Sequence, residues 1–136
     1  MSLIKRSYKY RMYPNKAQEE LLAKTFGCVR IIWNACVDSF NSYDKETNPN
    51  PRFPTKSNLV IQKPWLNEVS AATLQQKQRD FIEFSRQYFS NNRKEKFGRP
   101  NYKNKHDDQS FRLPSPKFKV VDNKIRIEKI GSNIYL

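Results

Sequence analysis

The sequence predicts an α+β fold, in which a small β-barrel or sheet built from both chain ends carries an inserted lobe of about three helices. Three observations predict it. Apolar residues alternate with a period of two near the start, recur at helical spacing through the middle, and form short strand-like runs near the end. We therefore expect residues 4–14 and 93–136 to form the β part, and residues 15–92 to form the helical lobe.

The first predicted element is a strand from Ile4 to Tyr13, which Pro14 ends. Its alternation places tyrosines and Met12 on one face and a cationic set on the other. That set supplies the first predicted nucleic-acid contacts, which are Lys5, Lys9 and Arg11.

A helical period begins at Lys16, after the candidate capping residue Asn15, and its strongest apolar stripe runs from residue 29 to residue 40. Gly27 interrupts the pattern, so we expect two helices joined by a turn there, with the second ending near residues 43–46. This arrangement fits either a plain αα-hairpin or a helix-turn-helix whose second helix enters a DNA major groove. In the second case Arg30 and Asn34 would face the bases, since both side chain types can form paired hydrogen bonds with base edges.

A Pro- and Asn-rich loop over residues 48–54 precedes two expected buried anchors, Trp65 and Leu66. Ser70 is the expected N-cap of a third helix that ends near residue 91, with Ile82 and Phe89 among the members of its apolar stripe. The polar face of this helix is either an ordinary solvated surface or a second set of nucleic-acid contacts. The candidate contacts are Gln75, Gln76, Arg79 and Arg86.

A basic segment follows over residues 93–105, with six cations and one Glu, and its Gly and Pro indicate an extended or flexible linker. Cations alternate here with aromatic rings, a pattern suited to phosphate neutralisation and to stacking on unpaired bases. The candidate contacts are Arg99, Tyr102, Lys103, Lys105 and Arg112. Four short strands are expected to complete the chain, over residues 110–113, 118–121, 124–128 and 133–136, with a hairpin turn at Asp122-Asn123.

The charge of the chain indicates its partner. There are 26 Lys and Arg residues against 13 Asp and Glu, a net charge of +13 in 136 residues. Nucleic acid is the expected polyanion, an anionic membrane surface is the second choice, and a well-solvated basic protein is the plain alternative. The sequence has no apolar run of the roughly 18–20 residues that cross a bilayer and no signal peptide, so we expect a cytoplasmic protein without membrane contact.

The residues that carry catalysis or bind metals are scarce. Cys28 and Cys36 lie in an apolar helical pattern and are expected to be buried thiols, and His106 stands alone beside two Asp residues. A structural zinc site needs about four ligands, which this set does not supply. We find no nucleotide-binding, metalloprotease or nucleophile motif. The sequence therefore predicts a binding protein with no catalytic residues, no metal and no cofactor.

Six blocks in order resemble the amino-terminal region of the TnpB/OrfB proteins, the insertion-sequence-encoded transposases that act as RNA-guided DNA endonucleases. The blocks are YKYRMYPNKAQEELL (8–22), FGCVRIIWN (26–34), WLNEVSAATLQQ (65–76), GRPNYKNK (98–105), QSFR (109–112) and KIRIEKIG (124–131). The resemblance is weakest across residues 43–62.

The resemblance implies an OB-like barrel, called the wedge, with an inserted helical recognition lobe. It also implies binding of a guide RNA and of target DNA beside a short motif, so that the protein reads duplex shape while guide pairing reads the sequence. Gln75 matches a family position that faces this DNA. Further matches fall on cationic positions of the family blocks, namely Arg11, Arg30, Arg99, Lys103 and Lys105.

The family's nuclease, a RuvC-like domain with three acidic residues, lies beyond the last matching block. We therefore expect a nucleic-acid-binding fragment that lacks the catalytic domain of its parent. The alternative is a stand-alone helix-turn-helix domain of a transposase or regulator, which would bind duplex DNA without RNA. A third hypothesis is a folded fragment that binds nucleic acid only nonspecifically and dimerises through its exposed joining surface.

Overall fold

The computed structural model describes residues 9–90, 98–107, 109–114 and 117–136, and it omits the side chains of residues 132 and 133. The predicted α+β class is confirmed, since helices occupy the middle of the chain and a small sheet its end. The elements are α1 (Lys16–Asn41), α2 (Lys56–Leu59), a 3₁₀ helix (Pro64–Glu68), α3 (Ala71–Tyr88), β1 (Phe118–Val121), β2 (Lys124–Ile127) and β3 (Gly131–Tyr135).

Helix α1 is one continuous helix of 26 residues, so the turn predicted at Gly27 is wrong. A reciprocal capping box starts the helix, with the backbone amides and side chains of Asn15 and Gln18 joined by two bonds of 2.8 Å. A glycine inside a helix costs only about 1 kcal/mol relative to alanine. Burial of Val29 and Ile32 on the same helix outweighs that cost, because each buried aliphatic side chain contributes about 1.5–3 kcal/mol.

The main core lies between α1, α3 and the 3₁₀ helix. Ile32, Leu66 and Phe81 are fully buried, whereas Trp65 is 45% exposed, so only one of the two predicted anchors is correct. The 3₁₀ helix turns consecutive side chains in different directions, which separates these neighbours. Ser70 is the N-cap of α3 as expected, but its hydroxyl donates to the Glu128 carboxylate at 3.0 Å and does not cap the helix.

The three strands form an antiparallel sheet in the order β1-β2-β3. The predicted turn at Asp122-Asn123 is confirmed, and Asp122 adopts the left-handed conformation with φ of 55°. A second apolar cluster of Leu22, Ile127, Ile130 and Ile134 joins the sheet to the first half of α1. The strand predicted over residues 110–113 is wrong, because this segment is irregular and contributes Phe111 and Leu113 to the cluster.

Within the described residues, the amino-terminal segment pairs with the last strand where the Tyr13 amide donates to the Tyr135 carbonyl at 2.7 Å. Of the predicted first strand, residues 9–13 form only this isolated bridge, and residues 1–8 lie outside the described residues. Among the residues that the structure describes, no helix has both the length and the apolar character required to cross a membrane.

Both cysteines are buried and free, as predicted. Burial raises the pKa of the Cys36 thiol to about 12, and burial followed by the nearby Glu68 carboxylate raises the pKa of Cys28. Both thiols are therefore protonated at neutral pH. Within the described part of the chain, no group of three or more metal-ligating side chains comes together.

Candidate nucleic-acid interface

The basic segment over residues 98–107, called the strap below, lies along the polar face of α1. The indole Nε1 of Trp33 donates to the Asn101 carbonyl at 2.9 Å. The side-chain nitrogen of Asn34 donates to the Lys103 backbone carbonyl at 3.0 Å. The side-chain oxygen of Asn34 accepts from the Lys103 backbone N–H at 2.7 Å. The segment was predicted to be an extended or flexible linker, and in its described part α1 binds the backbone directly.

Side chains fix the first half of the strap near the end of α1. The Tyr102 hydroxyl donates to the Asp38 carboxylate at 2.5 Å, and this bond raises the pKa of Tyr102. The Arg99 guanidinium donates to the Asn41 side chain at 3.1 Å and lies 5.6 Å from the centre of the Phe40 ring. Tyr102 and Arg99 thus attach the strap to the helix, and the guanidinium stays exposed.

The polar face of α1 was predicted from the sequence to contact bases. In the structure its side chains form hydrogen bonds with other parts of the chain. Arg30 donates to the Gln109 side chain at 2.6 Å. The side-chain nitrogen and the side-chain oxygen of Asn34 both form hydrogen bonds with the strap backbone. The signal that could have found this pairing is weak, because hydrogen bonds from side chains to an irregular backbone leave no periodic pattern. Contact of Asn34 with bases would require the strap to leave the helix.

The predicted contacts on α3 divide into two pairs. Gln76 donates to Asp80 at 3.0 Å, and Arg86 forms a forked pair with Glu83 at 2.6 and 3.0 Å. Gln75 and Arg79 are exposed. These two residues lie one turn apart, and Arg86 is exposed as well although it is paired with Glu83.

The remaining predicted contacts lie at three further places. Lys9 and Arg11 are exposed in the segment before the Tyr13 bridge, and Lys5 lies outside the described residues. Arg112 forms an ion pair with Asp80 at 2.9 Å. Lys105 is exposed in the strap, and its carbonyl accepts from the Gln109 side chain at 3.2 Å. The strap therefore presents Arg99, Lys103 and Lys105 to solvent.

Sequence reasoning missed Lys77. This residue lies on α3 between Leu74 and Phe81, at the spacing of the apolar stripe, and its ammonium nitrogen lies 5.5 Å from the centre of the Trp33 ring. Burial, the largest cause, lowers the pKa of Lys77. A cation within an apolar stripe is the sequence signal that could have identified it.

Substitution of Asn34 by alanine is expected to release the strap from α1. It removes two hydrogen bonds to the Lys103 backbone, which together contribute about 1–3 kcal/mol. We expect faster tryptic cleavage after Lys103 and Lys105, measured by mass spectrometry of timed digests. Asn67→Ala, at an exposed position of the 3₁₀ helix, is the matched control. Equal cleavage rates in both variants would show that Asn34 does not hold the strap.

Two comparisons with known proteins find similarity to part of this chain. Residues 1–47 match a family described as a helix-turn-helix domain, that of the OrfB proteins of IS605 type. In the structure this segment contains the uninterrupted helix α1. A protein of Streptomyces pristinaespiralis, provisionally named an RNA-guided DNA endonuclease, is 45% identical over 38 residues, which are 28% of this chain and 10% of the relative.

The chain thus matches about one tenth of the length of this curated relative. The family match covers the first two of the six sequence blocks and supports the resemblance there, and the name of the relative agrees with it. Over residues 1–47 the chain is therefore similar to the amino-terminal region of the TnpB/OrfB family.

Proposed function

We propose that this chain is the nucleic-acid-binding part of a transposon-encoded, RNA-guided DNA nuclease of the TnpB/OrfB type. It binds guide RNA and target DNA, and a RuvC-like nuclease domain elsewhere in a longer parent chain cleaves the DNA. The observation that carries the proposal is the strap, in which three exposed cations are attached to a rigid helix through side chains and backbone. Cations held in place lose less side-chain freedom when they bind phosphates.

We propose further that the sheet and the amino-terminal segment are parts of an OB-like wedge. The domain division of this proposal is residues 4–14 and 93–136 for the wedge, and residues 15–92 for the recognition lobe. The bridge between Tyr13 and Tyr135 supports it, because it pairs the amino-terminal segment with the last strand. OB-like barrels bind single strands through grooves that combine cations and aromatic rings.

The second candidate is a stand-alone helix-turn-helix domain that binds duplex DNA, which the description of the matching family favours. It requires a recognition helix with free base-reading groups. Gln109 occupies Arg30 and the strap occupies Asn34 on α1, so we favour the RNA-guided function. Under the second candidate, Arg30→Ala and Asn34→Ala would abolish sequence-specific duplex binding in the absence of RNA.

The test is filter binding of the purified chain across a salt series, with structured RNA, duplex DNA and heparin as probes. The proposal predicts that the chain binds structured RNA more tightly than heparin at every salt concentration. Charge matching alone would give heparin equal or higher affinity. That result would overturn the guide-RNA assignment, and specific duplex binding without RNA would favour the second candidate.

A further inference from the structure

A cavity of about 170 Å³ lies where the strap crosses α1 and α3, away from the polar face of α3. Its volume is comparable to that of a cavity that holds one benzene molecule, so it suits one small chemical group. Six of the residues that line it are Phe26, Arg30, Trp33, Lys77, Lys103 and Gln109.

Three cations converge on this cavity. The ammonium nitrogens of Lys77 and Lys103 lie 5.5 and 5.9 Å from the centre of the Trp33 ring. Arg30 donates to the neutral side chain of Gln109. Among the residues that the structure describes, no carboxylate lines the cavity, and none of the ion pairs found there involves these three cations. The Asp80 carboxylate, which is outside the lining and paired with Arg112, acts on Lys77, so the described residues neutralise the positive charge of the cavity only in part.

The electrostatics at Lys77 agree with this description. Burial lowers its pKa most, Lys103 and Arg112 lower it further, and the Asp80 carboxylate acts in the opposite direction. Lys77 is thus a half-buried cation near a second cation. An anion between them would relieve both the repulsion and the loss of hydration.

The aromatic rings around the cavity make a nucleobase a poor ligand. The two ammonium groups already lie over the Trp33 ring, and Phe81 packs against the same indole with 4.8 Å between ring centres. A stacked base would have to displace these groups. A phosphate group needs no ring face, and two lysines with a guanidinium are typical of sites that bind phosphate.

We propose that this cavity binds a single backbone phosphate of a nucleic-acid strand, held between Lys77 and Lys103 with Arg30 at its edge. The inference rests on the proposed function and deepens it, since it assigns one position of the bound strand. Lys77 is outside the set of contacts predicted from the sequence. A phosphate here would also link α3 to the strap, because the two lysines belong to these two segments.

The first test measures the salt dependence of oligothymidylate binding for Lys77→Gln, Lys103→Gln and the double variant. For a single strand the slope of log affinity against log salt is about −0.7 per phosphate neutralised. If both lysines share one phosphate, the double variant should lose about 0.7 from the slope, whereas two separate phosphates would remove about 1.4. A loss near the larger value, or no loss, overturns the proposal. Lys16→Gln with Lys45→Gln, both exposed, is the charge-matched control.

The second test leaves the lysines in place and follows Trp33 fluorescence in a Trp65→Phe background. Oligothymidylate should change the emission, and the double variant should abolish that change while its urea midpoint shows it to be folded. An unchanged emission, or an equal effect of inorganic phosphate at the same concentration, overturns the assignment to a strand. If RNA still binds more tightly than heparin in that case, only the phosphate site fails and the proposed function stands.

Discussion

Replacement of Phe81 by alanine is expected to lower the free energy of unfolding by about 3–5 kcal/mol. Phe81 is fully buried, and its ring lies 4.8 Å from Trp33, 5.0 Å from Phe53 and 6.2 Å from Phe40, measured between ring centres. Removal of the ring leaves a cavity at the point where α1, α3 and the loop after α1 meet. Urea unfolding followed by circular dichroism measures the change.

The control for this prediction is the next residue, Ile82, which is 43% exposed. Ile82→Ala should cost about 1 kcal/mol, because much of the side chain is already in water. If Phe81→Ala does not fold, Phe81→Leu provides a smaller cavity and a measurable midpoint. Equal costs at positions 81 and 82 would contradict the central position of Phe81 in the core.

Neutralisation of the three exposed cations of the strap is expected to have the largest effect on binding. The variant Arg99→Gln/Lys103→Gln/Lys105→Gln should reduce the salt slope for duplex DNA by about two to three, because each phosphate contact contributes about 0.9. Its affinity should fall most at low salt, where released counterions favour binding most strongly. Filter binding between about 50 and 200 mM salt covers the informative range.

The matched control removes three exposed cations outside the predicted interface, as Lys16→Gln/Lys45→Gln/Arg52→Gln. It has the same net charge as the strap variant. If net charge alone governs binding, the two variants will have the same slope and affinity. That outcome would contradict a specific role for the strap.

Helices and strands whose apolar residues recur at a regular spacing could be predicted from the sequence. The stripe from residue 29 to residue 40 is buried on α1 at most of its positions, and the hairpin at Asp122-Asn123 forms where turn residues separate two strand-like runs. The turn predicted at Gly27 was wrong because the prediction considered the low helix propensity of glycine and not the packing of the residues around it. Tertiary burial routinely outweighs such a local preference.

The candidate interface was harder to predict, because it depends on contacts between residues far apart in the sequence. Asn34 and Lys103 are 69 positions apart, and the sequence around either residue contains no pattern that predicts their contact. The cationic residues of the strap were predicted as nucleic-acid contacts and are exposed in the structure, whereas the attachment of the strap to α1 was not foreseen. Composition indicates that a polyanion is the partner, but only the fold shows which side chains the protein uses for its own structure.

Helix α1 contacts two apolar clusters, and this has a consequence for the order of events during synthesis. Its second half packs on Leu66 and Phe81, which leave the ribosome soon after the helix. The partners of Leu22 in its first half, Ile127, Ile130 and Ile134, are made much later. Domains generally fold as units and in the order in which they emerge. The matched segment over residues 1–47 should therefore not fold alone, and α1 should acquire its stable structure in two stages.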